Sequence, residues 1–310
     1  VMSRAGAVQE AGAVQEAGAA GPRGQGGAKG TVWDQGVGEG ESEMQVEEAR
    51  RLLVERLGGG PEPPSPESAR EVIAQLAHPG TLGPLVRRLS VGDLELAECV
   101  RLSYRHVLGF DKLLLLPGAP RFMLRVHFWH GTAGAVSEDI HNHRCAIASA
   151  VVRGSVRMEC YQPAADGVPA VAYRESIDGP GGAWRLRRVG EARLRLRLLH
   201  SEQYGAGRSY GLAARTLHRV VSEEPTVTLF LETAPQRSVT DVYVRSRGRV
   251  GGSGSVPHSG DDPGRTVGPA RVVGDVSAAR AERADPPPKT PLPPAVYLAE
   301  LDALAGSLGY

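Results

Sequence analysis

Three of the nine histidines sit where one metal ion would want them. His141 and His143, in Ile140-His141-Asn142-His143, are two residues apart, so on a strand both imidazoles point to the same face. His218, in Leu217-His218-Arg219-Val220, comes several predicted strands later, and an antiparallel barrel can lay such a strand beside the earlier one. Three neutral nitrogens leave positions open on a metal, the arrangement of a catalytic site rather than a closed structural one. The bland alternative, in which Asn142 and the histidines only hydrogen-bond a loop, explains the spacing less well. Two further ligands are conceivable: Cys145, a sulfur that would shift preference towards zinc, and Glu159. His127 and His130 flank Trp129, and strict alternation puts His127 and Trp129 on one face and His130 on the other. Arg125, Tyr161 and Tyr204, with Glu159, are candidates for the barrel mouth.

The elements that must hold these residues change character along the chain. Residues 1–42 contain AGAVQE from Ala5 and again from Ala11, then a Gly-rich stretch, with too few large apolar side chains to offset the entropy of ordering. From residue 43 to 109 a helical cap is expected. Val46, Ala49, Leu52, Leu53 and Leu57 recur at helical spacing, Ser65 can cap a helix opened by Pro66, and a third helix is expected from Val91 to Val107. Between 110 and 247 the period shortens to that of strands, separated by Gly, Pro, Asp and Ser. Gly154 marks a turn there. In Ala192–Leu198 three arginines, Arg193, Arg195 and Arg197, alternate with leucines, which predicts one buried and one charged face. Residues 248–292 read as a disordered Gly/Pro-rich linker and 293–310 as a C-terminal helix with Val296, Leu298, Leu301, Leu304 and Leu308 near one stripe.

Composition removes other functions. Thirty-six basic against thirty-five acidic side chains give a formal charge of +1, so no field favours nucleic acid or an anionic membrane. No apolar run is long enough to span a bilayer, and three cysteines in no paired pattern favour a reducing compartment, so the expected location is cytoplasmic. No phosphate-binding loop or dinucleotide fingerprint lies between a strand and a helix. The expected partners are a small molecule and dioxygen, with oligomeric state open.

The histidine segments, with Val152-Arg153-Gly154-Ser155-Val156 after the first and Glu224-Pro225-Thr226-Val227-Thr228-Leu229 after the second, resemble the cupins over Phe122 to Tyr243. The glutamate that usually follows the cupin His-x-His is replaced by Ile147 or Ala148, which resembles the three-histidine subset and most of all the cysteine dioxygenase (thiol dioxygenase) family. That resemblance implies a mainly β fold, a cupin-like antiparallel barrel or jelly roll, with an N-terminal helical cap and disordered terminal segments. It implies a mononuclear non-haem Fe(II) dioxygenase acting on a small amino-acid-like or thiol substrate. His141, His143 and His218 would be the metal ligands. Lys112 stands where the family has a carboxylate-binding Arg, and Phe230 and Glu232 where it has a His and a Tyr. The family's crosslinking cysteine would fall at Ala148, near Cys145. Lys112 and Glu232 are therefore the candidate catalytic residues, and free cysteine is a poor fit because Glu232 would repel a carboxylate. Two other readings stand: a Zn(II) or Ni(II) cupin catalysing a non-oxidative isomerisation, cyclisation or bond-forming step, and a non-catalytic barrel that binds a small ligand.

Overall fold

The computed structural model describes residues 46–58, 63–92, 96–106, 108–131, 136–178, 183–190, 194–245 and 289–310. The expected N-terminal arm, and the linker up to residue 288, lie outside them. Helices α1 (Val46–Leu57) and α2 (Pro66–Leu76) form where the spacing predicts them, and Ser65 caps α2 by accepting from the Ser68 amide at 3.1 Å.

The third expected helix differs. Helix α3 is Pro79–Ser90, opened by Pro79 and capped by His78 Nδ1, which accepts from the Gly80 amide. Among the described residues, the Val91–Val107 stretch holds α4 (Leu96–Arg101) and then strand β1 (Tyr104–Arg105). Its apolar residues serve a short helix and then a strand, so their helical spacing does not continue.

The body is mainly β and antiparallel. One seven-stranded sheet contains, in order, β10 (Ser209–Leu212), β6 (Ile147–Arg153), β12 (Thr226–Thr233), β3 (Phe122–Trp129), β2 (Phe110–Gly118), β1 and β14 (Thr290–Pro291). The second contains β4 (Val136–Ser137), β11 (Leu217–Ser222), β5 (Ile140–His141), β13 (Val239–Arg245), β7 (Ser155–Asp178) and β8 (Ala183–Arg188), with β9 (Leu194–Gly205) also paired to β7. Strand β14 falls inside the stretch expected to be unstructured, because its backbone groups pair with β1 at the sheet edge.

Alternation divides the first sheet. Val227, Leu229 and Leu231 of β12 join Leu124, Val126, Ala148 and Ala150 in one core with α1–α3, while Phe230 faces inward with Trp129, Ile147 and Val151. That inner cluster takes Val156, Met158, Tyr204 and Val220 from the opposite sheet, so the two sheets pack face to face. The C-terminal helix α5 (Pro294–Ser307) packs on α3 and buries Tyr297, whose hydroxyl donates to the Leu114 carbonyl at 2.8 Å.

The arginine–leucine strand is corrected. Leu196 is fully buried, but Leu194 and Leu198 are 41% and 48% exposed. The pairing of β9 with β7 shifts register at Leu196 itself, which pairs with both Pro163 and Val168, and again at Cys160/Tyr161 between Leu198 and His200, so simple alternation does not hold. Gly154 does make a tight turn, with φ 76°, between β6 and β7.

Candidate metal centre

His218 at the start of β11 is paired directly with His141 on β5, so the two rings share a face of the second sheet. His143 lies just past the end of β5, not on a strand as the spacing suggests. It is held there by its backbone amide, which donates to Ala214 O at 3.0 Å. Between the two, Asn142 is clamped to β13. Its Nδ2 donates to Asp241 Oδ2 at 3.1 Å, and its Oδ1 accepts from the Asp241 amide at 2.8 Å. The clamp takes the middle residue away from the site and leaves its neighbours facing it.

The three rings converge, with centroids 4.8 Å (His141–His143), 4.7 Å (His141–His218) and 5.1 Å (His143–His218) apart. One nitrogen from each lies within 4.8 Å of the others. Nδ1 of His141 is 2.8 Å from Asp139 O and Nδ1 of His218 is 3.0 Å from Thr216 O. A carbonyl only accepts, so these Nδ1 atoms carry the proton and Nε2 keeps the lone pair a metal needs.

Burial holds His143 well below the ordinary imidazole range, helped by the fields of His141, His218 and Lys112. Burial likewise lowers His218 to about 4, with His141 adding to the effect and Glu138 opposing it. Both are neutral at neutral pH. His143 Nε2 is buried without a hydrogen-bond partner, and such an orphan fits a nitrogen meant for an ion. The donor set, three neutral imidazoles, suits a divalent transition metal.

The other candidates sort by position. Glu159 is opposite Arg219 in the β7–β11 pairing, one place from His218, and so faces away from the rings. Arg219 Nε donates to its Oε2 at 2.6 Å, and Tyr161 and Arg157 also bind it; it is a structural ion pair and not a ligand. Tyr204 donates to Glu202 at 2.7 Å, and of the four residues considered for the mouth only Arg125 lines the cavity beside the histidines. Cys145 lines it too, but burial pushes its thiol up to about 12, with Glu232 adding to the rise, so it offers a thiol rather than a thiolate. His130 bonds Asp111 at 2.9 Å on the opposite face of β3 from His127, as alternation requires. His127 is buried against the Phe230 ring at 4.7 Å, its Nε2 without a partner, and lines the small inner cavity with the three histidines.

That inner cavity opens towards a larger one of about 640 Å³. Lys112, Glu138, His141, His143 and Phe230 line both. Lys112 lies with Nζ 5.2 Å from the Phe110 ring centre, and Glu232 lines the larger space with Arg125 Nε 3.4 Å away.

Glu138 is a residue that the motif pattern passes over, because a carboxylate is sought after His-x-His and this one stands three places before it. Val220 N donates to its Oε2 at 3.2 Å. Burial raises its pKa despite the opposing fields of Lys112 and His218. A buried carboxyl whose pKa is shifted upward thus stands beside the histidines.

No protein-family model matches the chain, and no curated protein matches it. Solved structures similar to it include a cupin superfamily protein from Desulfitobacterium hafniense, at 6% identity over 40% of this chain and 76% of that one, with a TM-score of 0.25. KdgF from Halomonas sp. is 12% identical over 41% of this chain and 82% of that one, TM-score 0.26. Hydroquinone 1,2-dioxygenase PnpCD, in complex with Cd2+ and 4-hydroxybenzonitrile, is 14% identical over 46% of this chain and 72% of that one, TM-score 0.26. At such scores the fold stands on the chain's own strand pairings, and no reaction carries over. No described helix is long and apolar enough to cross a membrane.

Proposed function

We propose that the chain is a mononuclear metal-dependent enzyme, a non-haem Fe(II) dioxygenase acting on a small acidic, amino-acid-like or thiol substrate. The observation that carries the reading is the convergence of three imidazoles, two with Nδ1 tied to carbonyls, beside a cavity of about 640 Å³. His141, His143 and His218 would hold the ion, and a bound iron would supply open positions for substrate and dioxygen.

The chain's own groups do the rest. Lys112 stands at the junction of the two cavities and orients an anionic group as a point charge. Glu138, whose pKa burial shifts upward, faces the same space and would hydrogen-bond a polar group of the substrate there. Phe230 and Trp129 exclude water from the inner space. Glu232, compensated by Arg125, takes the place of the tyrosine found in the thiol dioxygenases that the motifs resemble, which argues against free cysteine.

Elemental analysis of protein purified without added metal, beside His143→Ala made identically, tests this. About one iron per chain, absent from the variant, with oxygen consumed on amino acids or thiols, is the expected result. Stoichiometric zinc or nickel without oxygen uptake would replace it with a Lewis-acid cupin, and no metal in either protein would leave a ligand-binding barrel.

A further inference from the structure

His127 lies beside the metal centre with no part in the reading above. Its side chain is buried, 3% exposed, and among the described residues its Nε2 has no hydrogen-bond partner. A buried nitrogen left in that state costs free energy until a molecule in the space it faces bonds it. That space is the inner cavity, which His127 lines together with His141, His143 and His218. It is not a fourth ligand, because the three ligand nitrogens lie within 4.8 Å of one another and His127 does not join that group.

Strand register sets an ammonium next to it. His127 of β3 is paired directly with Lys112 of β2, so the two share a face about 4.8 Å apart, and both line the inner cavity. One ring braces the pair: Lys112 Nζ stands 5.2 Å from the centre of Phe110, and the His127 ring is 5.7 Å from the same ring. On its other side His127 is stacked on Phe230 at 4.7 Å, which fixes its plane. Burial, with the fields of Lys112 and Arg125, holds its imidazole well below the ordinary range, so the ring is neutral and carries a single N–H. An ammonium meets an anion as a point charge, whereas a carboxylate offers two oxygens in a plane. An N–H one strand away can take the second oxygen, the two-point fit that a guanidinium supplies alone.

We infer that Lys112 and His127 form a carboxylate-binding pair on the β2–β3 wall opposite the three histidines, Lys112 taking one oxygen and His127 Nε2–H donating to the other. His127 is thereby a specificity-determining residue. The rest of the ligand extends into the larger cavity, which Lys112 also lines. This deepens the enzyme reading above and rests on it only where the carboxylate is called part of a substrate.

Calorimetric titration of the full chain with butyrate and with neutral butyramide, before and after chelation of any metal, reads the pair. Butyrate should bind at least about tenfold more tightly than butyramide, and the preference should survive chelation. His127→Phe should lose about tenfold in butyrate affinity at unchanged metal content, and His127→Gln, which keeps a donor, should retain most of it. Equal binding of acid and amide by the unmodified protein overturns the inference without reference to any variant, and a preference that vanishes on chelation does so by assigning the carboxylate to the ion. Unchanged affinity in a folded His127→Phe protein, equal losses in the Phe and Gln variants, or loss of metal from either variant would overturn it as well. Butyrate binding that depends on His127 in a protein purified without iron keeps the pair and removes the oxygenase, whereas iron in a protein indifferent to butyrate does the reverse.

Discussion

Asn142 fixes the angle at which two histidines leave the backbone. Both of its amide atoms are used on Asp241, and Asp241 in turn takes Arg237 at 2.7 Å and Arg174 at 3.2 Å. In Asn142→Ala the Asp241 amide loses its acceptor. The protein should lose about 1–3 kcal/mol in urea melts, and metal affinity should fall about tenfold as the rings lose their fixed aim. A second group of possible ligands, Asp111, His130 and Glu300, is better read as an ion pair, since Arg105 takes both Asp111 oxygens at 2.8 and 2.9 Å. Burial pushes the Asp111 carboxyl up, but the bonds from Arg105 and His130 outweigh it and hold it below the ordinary range. An unfolded Asp titrates near 3.9. The folded value being lower, this stabilisation is complete above about pH 4 and disappears as pH falls through the folded value. Asp111→Asn should cost about 1–3 kcal/mol at neutral pH and flatten the acid limb of a stability–pH curve; an unchanged limb would assign that limb to other carboxylates.

At the scale of elements, the tight turn at Gly154 aligns β6 with β7. A Cβ there would meet Thr226 Oγ1 at 2.5 Å and Pro225 O at 2.6 Å, on a backbone with φ 76°. Gly154→Ala should therefore destabilise by about 1–3 kcal/mol in thermal or urea melts. This turn and the two histidine segments were legible in the sequence because they are local: a glycine, a two-residue spacing, a short apolar strand. Helix α3 was not, since Pro79, Gly80, Gly83 and Pro84 hide a helix that tertiary burial of Leu82, Leu85, Val86 and Leu89 stabilises. Nor was β14, two residues whose strand character comes from pairing with β1. Glu138 escaped notice because its role depends on β4 and β11 meeting, a contact that no spacing records.

At the scale of the whole molecule, the barrel and the helices share one core, and α5 ties the chain's C-terminal segment into it. Tyr297 is 1% exposed and bonds the Leu114 carbonyl, on the strand that also carries Lys112. Tyr297→Phe should lower stability by about 1 kcal/mol while leaving metal content unchanged; a variant that loses metal would show that α5 controls the site through β2. The sheet-and-helix plan was foreseeable from the change of period near residue 110, and a docked C-terminal helix from its apolar stripe, whereas α3 as its partner was not.

Strand β12 turns one set of side chains to the helices and the other to the cavity. Residues 227, 229 and 231 belong to the helix-facing core, whereas Thr228 and Phe230 line the inner cavity, and Phe230 and Glu232 the larger one. Two kinds of selection can therefore act on one short stretch of chain without interfering. A library that varies only positions 228, 230 and 232 would sample new chemistries on an intact scaffold, and one that varies only 227, 229 and 231 would sample thermal tolerance at constant specificity.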